Sequence, residues 1–234
     1  MSAKQRKPLG DRIRENYEDR SKTYLTRRTP VIVRLDGRAF HTFTRQFHSP
    51  FSEILSDAMI ETARALCEEI AGARLAYVQS DEISLLLHDY NKFDTAAWYD
   101  YAVQKVVSVT ASIATAHFNR IIETSQLAMF DSRAFNIPEE EVNNYFIWRQ
   151  KDWERNSVAM LAQAHFSPKE LHGKNRQEMI EMCAQRGEHW ESLHDRWKLG
   201  TTLRYDAEQG WHTLHQSFVE APFITLNALE REER

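Results

Sequence analysis

The sequence predicts an α+β fold: a ferredoxin-like, split βαβ antiparallel sheet with packed helices and a helical appendage. Three observations predict it. The apolar segments read strand–helix–strand–strand–helix–strand in order. The pattern after residue 140 is mainly helical, without a second run of strands. No internal repeat, low-complexity tract or Pro/Gly-rich linker interrupts the chain. The expected division is a sheet-forming domain over 1–140 with a basic N-terminal arm, and a mainly helical appendage over 141–234 that completes the same unit.

Each element has its own signal. Val31, Ile32, Val33 and Leu35 lead into Asp36-Gly37, a buried strand punctuated by glycine. From Phe51 the apolar positions Ile54, Leu55, Ala58, Met59, Ala63, Leu66 and Ile70 step by three and four, an amphipathic helix with Gly72 near its end. Leu75 to Val78 and Ile83 to Leu87 read as a hairpin. Residues 94–124 read as one long helix, Phe130 to Ile137 as a short strand, and Val142 to Gln163 as a helix. A polar helix over Arg176–Gln185, a Trp-rich segment with Trp190, Trp197 and Trp211, and a Thr-rich strand from Thr201 to Tyr205 follow.

The chain has 234 residues, 42% hydrophobic and 27% charged, which is enough for a sizeable core and excludes a disordered chain. No apolar run approaches the roughly 20 residues that span a bilayer. MSAKQRKPLGDRIREN is basic but has no apolar core of a secretory signal, and Cys67 and Cys183 show no metal spacing, so a reducing, cytoplasmic setting is expected. The net charge of −4 does not advertise nucleic-acid binding. Its distribution is uneven: residues 1–30 hold nine Lys/Arg against four acids, offset by Glu139, Glu140, Glu141 and the EREER tail. A solvated helix face and a phosphate-facing patch both fit those cations.

The hairpin AYVQSDEISLLL places Asp81 and Glu82 at its tip. In a split βαβ sheet that tip lies beside the end of the first strand, where Asp36 sits. Converging carboxylates repel unless protonated or bridged by a cation, and Mg²⁺ suits such oxygen ligands. Gly37 allows close backbone approach, and Arg38-Ala39-Phe40-His41 offers amides and cationic side chains to a triphosphate. Arg34, in mid-strand, reads as a paired structural arginine, and the tryptophans read as core.

VIVRLDGRAFHTFT followed by AYVQSDEISLLL resembles the tRNA-histidine guanylyltransferase family and its guanylyltransferase-like relatives. LGDRIRENYE, PFSEIL, FDSRAF and WRQKD extend the resemblance over most of residues 9–205. It implies a polymerase-palm-like domain, two Mg²⁺ ions, ATP and GTP or other NTPs as substrates, tRNA as partner, and a homotetramer with no membrane association. The implied reaction is 3′-to-5′ addition at a tRNA 5′ end, after adenylylation of a 5′ monophosphate or from an existing triphosphate.

Residue by residue, the resemblance makes Asp36 and Asp81 the metal-binding carboxylates, with the Gly37 carbonyl beside them and Glu82 as a supporting acid. Arg38, Ala39, Phe40 and His41 would line the triphosphate, Ser80 would face the nucleotide, and Lys105 would meet the triphosphate. Asp131, Arg133, Arg149, Gln150, Asp152 and Asn156 are matched positions; of these Arg133, Arg149, Asp152 and Asn156, with Lys174 and Lys198 as weaker ones, are the candidates for RNA or a second nucleotide, while Asp131, Arg133, Arg149 and Asp152 also read as structural ion pairs. The chain departs from the eukaryotic enzymes where their HINNLYN follows the WRQ element: here Glu154-Arg155-Asn156-Ser157-Val158-Ala159-Met160 stands instead. Ser49-Pro50-Phe51 replaces their Pro-Asn-Asp. That points to the guanylyltransferase-like branch and repair of 5′-truncated tRNAs. A palm-type nucleotide cyclase or dinucleotide synthase, and a non-catalytic RNA-binding module, are the alternatives.

Overall fold

A computed structural model describes residues 7–47, 50–92 and 94–220. In chain order its main elements are α1 (Leu9–Ile13), β1 (Val31–Gly37), α2 (Phe40–Phe43), α3 (Glu53–Glu69), β2 (Ala73–Gln79), β3 (Glu82–Leu87), α4 (Val103–Ile121), β4 (Phe130–Asn136), α5 (Glu139–His165), α6 (Pro168–Leu171), α7 (Arg176–Gln185), α8 (Asp195–Leu199), β5 (Thr201–Asp206) and β6 (Gly210–Leu214). Lys4, Arg6, Ser49 and the acidic tail lie outside the described residues.

The six strands form one antiparallel sheet, β4-β1-β3-β2-β5-β6. Its first four strands, joined by α3 and α4, are the predicted split βαβ, and the whole is palm-like. Alternation along β1 divides its side chains between two faces. Val31, Val33 and Leu35 join Leu85, Leu87, Ala76 and Val78 against α2, α3 and α4. Ile32, Leu75, Tyr77 and Leu86 meet Val142, Tyr145 and Phe146 of α5 on the opposite face. Both faces are covered, which is why β3 is buried at every position.

Local chemistry fits these elements. The Ser52 side chain caps α3 by accepting from the Leu55 amide at 3.4 Å. Glu139, Glu140 and Glu141 sit in the first turn of α5, where their charge favours the helix dipole. The C-terminal half of α5 packs Val158, Leu161 and Ala162 against Ile180 and Cys183 of α7.

One expectation is corrected, and one segment that the sequence left without an element gains one. The long helix over 94–124 begins only at Val103. Before it, Tyr99, Asp100 and Tyr101 take φ of 49°, 51° and 55°, the left-handed region. The buried Tyr101 accepts the Leu25 amide at 3.0 Å, and Ala102 bridges to Tyr24, so tertiary contacts hold this stretch out of the helix that its spacing predicted. The Trp211 segment is a strand, β6, pairing with β5 at the sheet edge. The expected division near 140 falls between β4 and α5, and β5 and β6 return the chain to the same sheet. No helix among the described residues is long and apolar enough to cross a membrane.

Candidate active site

β1 and the β2–β3 hairpin end together at one edge of the palm. The Gly37 amide donates to the Asp81 carbonyl at 3.1 Å, which draws the end of β1 onto the hairpin tip. Asp36 lies in register with Glu82 on one side and Asp131 on the other, so three acids form a row across β3, β1 and β4. Like charges directly opposite one another in a sheet are destabilising. Burial, with Glu82 and Asp131 nearby, raises the Asp36 carboxyl above its usual range. Burial and the charge of Asp36 push Asp81 up to about 6.

The backbone is strained on both sides of these acids. Ser80 takes φ 47° in the two-residue turn between β2 and β3, and Ala39 takes φ 54° before α2. Gly37 has a steric requirement of its own: a Cβ there would stand 2.3 Å from the Phe40 ring. That ring is buried against Phe43, Phe118 and Phe130, and so cannot swing away.

Glu82 is treated differently from its neighbour Asp81. Arg149 of α5 donates to both its oxygens, Nε at 2.8 Å and an Nη at 2.7 Å. Gln79 and Ser84 donate to the same carboxylate, and Ser84 also bonds the Tyr145 hydroxyl at 2.8 Å. Arg149 continues to Asp152 at 3.0 Å, and Asp152 pairs with Arg155. This network ties α5 to the hairpin. Asp36 and Asp81 have no ion-pair partner among the described residues.

Two hollows meet at the tip and share Gln79, Ser80, Asp81 and Met160. A polar one of about 480 Å³ is lined by Asp36, Glu82, Arg149, Asp152 and Asn156 among others. An apolar one of about 460 Å³ is lined by Phe40, Phe47, Met59, Trp153 and the stacked pair Phe51 and Trp197, whose centroids are 5.0 Å apart. The apolar cleft is the part that sequence reasoning missed; Phe51, Trp153 and Trp197 are far apart in the chain, and only their size marked them.

The predicted residues therefore divide. Asp36, Ser80, Asp81, Glu82, Arg149, Asp152 and Asn156 share the polar hollow. Gly37 and Phe40 adjoin it, and Arg38 is held by its amide to Met129 at 2.8 Å. Ala39 and His41 follow in the same turn. Arg133 pairs with Asp131 at 3.2 Å on the edge strand. Lys105 lines neither hollow. It lies in the first turn of α4, whereas Phe118, about 20 Å further along at 1.5 Å per residue, is the α4 residue touching Phe40. Lys174 pairs with Glu178, and Lys198 with Asp195 and the Glu191 carbonyl; neither lines either of these two hollows. Among the described residues no group of three or more His, Cys, Asp or Glu side chains forms a metal cluster, consistent with Glu82 being engaged by Arg149.

Residues 10–138 match the family model described as tRNAHis guanylyltransferase. The chain belongs to the tRNAHis guanylyltransferase family. A bacterial tRNA(His) guanylyltransferase (Thg1)-like protein solved in complex with ATP is 38% identical, with a TM-score of 0.86 over 96% of this chain and 98% of that one. Such a protein in complex with GTP is 37% identical, with a TM-score of 0.81 over 95% and 97%. An uncharacterized protein of Acanthamoeba polyphaga mimivirus is 31% identical, covering 76% of this chain and 70% of its own. The chain spans about half the length of the curated tRNA(His) guanylyltransferases it matches, for example 47% of that of Neurospora crassa, at 30% identity over 56% of this chain. The matched segment holds β1, the hairpin and β4, the elements that carry Asp36, Asp81 and Arg133.

Proposed function

We propose that this chain is a Mg²⁺-dependent nucleotidyltransferase that adds nucleotides in the 3′-to-5′ direction to tRNA 5′ ends, and that its task is 5′-end repair. The observation that carries this reading is the meeting of Asp36 and Asp81 through the Gly37–Asp81 backbone bond, with both carboxyls raised and neither ion-paired among the described residues. Family membership and likeness to proteins solved with ATP and with GTP support nucleotide substrates.

The residues fit Mg²⁺. Such an ion is commonly held by one or two carboxylates and completes its shell with water and substrate phosphates. Asp36, Asp81 and the Gly37 carbonyl would hold it, and two ions would favour the ionised form of carboxyls that burial and neighbouring acids raise. Bound there, Mg²⁺ supplies charge neutralisation at phosphate oxygens and a lowered pKa for an attacking hydroxyl.

The chain's own groups do the rest. The aromatic cleft takes a nucleobase and excludes water from it. The amides of Phe40 and His41, which take no backbone acceptor among the described residues, and the Arg38 side chain meet the triphosphate. Ser80 faces the nucleotide, and Arg149 fixes Glu82 so that the hairpin tip keeps its place. Arg133, Asp152 and Asn156 lie toward the RNA or a second nucleotide, with Lys174 and Lys198 further out. In the reaction the 3′-hydroxyl of an incoming nucleotide attacks the activated 5′ phosphate of the RNA. A P–O bond forms, and AMP or pyrophosphate leaves according to how that end was activated. Residues 1–140 act as the catalytic domain, the remainder completes the unit, and the assembly is a cytoplasmic homotetramer.

The test is incubation of the protein with Mg²⁺, NTPs and a tRNA transcript lacking its first 5′ nucleotide, with products resolved at single-nucleotide length. The reading predicts extension that copies the opposing base. Addition of G to tRNA-His alone would restrict it to histidine tRNA. Nucleotide consumed without RNA would replace it with the cyclase-like alternative.

A further inference from the structure

Of the six tryptophans, Trp148 alone is exposed, at 53%. Its place on α5 is not incidental to the site. The next residue is Arg149, whose guanidinium stands 4.4 Å from the Trp148 ring centroid while both oxygens of Glu82 hold it. The indole is thus indexed to the hairpin tip through one rigid side chain. Tyr145 packs its edge at 5.8 Å, one turn back on the helix.

A second cation reaches the same ring. Arg34 lies 5.7 Å from its centroid. It was expected to be a paired structural arginine, yet it has no ion-pair partner among the described residues. Arg34 is two residues before Asp36 on the same sheet face, about 7 Å along the strand. An exposed aromatic plane and a cation beside it that makes no ion pair among the described residues suit a ligand that carries both a flat base and negative charge.

We propose that Trp148 is a stacking platform for a nucleobase of the RNA strand, set beside the reacting end. The proposal rests on the RNA-acting function above. A free nucleotide is the lesser fit, because the enclosed aromatic cleft on the other side of the hairpin tip already offers one base a pocket. An open indole accepts any base, which is what a strand of varying sequence requires. Its charge complement points the same way, since Arg34 faces a polyanion better than an apolar protein surface.

The full chain, Trp148→Ala and Trp148→Phe are compared for binding of the 5′-truncated tRNA transcript by fluorescence anisotropy, and of ATP by calorimetry. Trp148→Ala is expected to weaken RNA binding about 10- to 100-fold with ATP affinity and melting temperature unchanged. Trp148→Phe is expected to recover most of that loss. RNA affinity equal to that of the unaltered protein in Trp148→Ala overturns the platform alone. So does a loss of RNA affinity shared by ATP, or a change of oligomeric state in its place, since the ring would then be structural or a contact between copies. An unaltered protein that binds no RNA overturns the functional reading and the platform with it.

Discussion

Asp81 and Asp89 stand at opposite ends of the same strand, and the fold treats them in opposite ways. Asp89, just beyond β3, is buried and fully answered: Arg27 Nε donates to it at 2.7 Å and the Arg28 amide at 2.8 Å. Asp81, just before β3, has no ion-pair partner among the described residues, and burial with the like charges of Asp36 and Glu82 pushes its carboxyl up to about 6. One acid fastens the chain; the other is the acid that the proposed reaction assigns to a cation. Partnering, more than exposure, distinguishes the two carboxylates. Glu82 sharpens it, since it adjoins Asp81 yet belongs with Asp89 through its bidentate bond to Arg149.

The largest effect expected from this contrast is catalytic. Asp36→Ala or Asp81→Ala should lower 5′ addition at least a thousandfold while the circular dichroism of the fold is retained. Near-normal addition by either purified variant would remove the two-metal assignment. Next comes Glu82→Ala, which leaves the buried Arg149 with Asp152 as its remaining acid and should cost about 3 kcal/mol in urea unfolding. If that variant were as stable as the parent, Glu82 would have to be regrouped with Asp81. The smallest effect concerns His88, beside Asp89. Burial, aided by Arg74, lowers its pKa to about 4 from 6.5. Its ring nitrogens are buried with no hydrogen-bond partner among the described residues. The folded chain therefore resists protonation, so stability is complete above pH 6.5 and falls as the pH drops toward 4. His88→Leu should flatten that part of the profile by about 2 kcal/mol or less, read from melts across the range.

The central hairpin and the first strand were legible because their apolar runs are short, continuous and buried on both faces, so the polar interruption at Ser80-Asp81-Glu82 stood out. Joint placement of Asp36 and Asp81 followed from the order of elements alone. The left-handed turn at Tyr99–Tyr101 was not legible, since contacts with Leu25 and Tyr24, more than seventy residues earlier, decide it. Strand β6 was hidden because a five-residue edge strand with no buried position leaves a faint alternation. Lys105 was matched by position, and the structure sets it in the first turn of α4, about 20 Å along the helix from Phe118. The split roles of Asp81 and Glu82 needed coordinates, because nothing local in QSDE says which acid an arginine sixty-seven residues later will take.

The most direct measurement compares the melting of Asp81→Asn and Asp89→Asn at pH 7 in buffer free of divalent cations. A carboxyl raised in the fold is bound more tightly to its proton there than in the unfolded chain. Its presence therefore destabilises as the pH rises from 3.8 through about 6, and at pH 7 that penalty is complete. Removing the charge at Asp81 should raise the melting temperature, by up to about 2 kcal/mol of stability, and Mg²⁺ should no longer stabilise the variant. Asp89→Asn should melt lower than the parent, because its charge answers Arg27. Opposite signs are the predicted result; two variants destabilised alike would contradict the division between an acid that fastens the fold and an acid kept for the reaction.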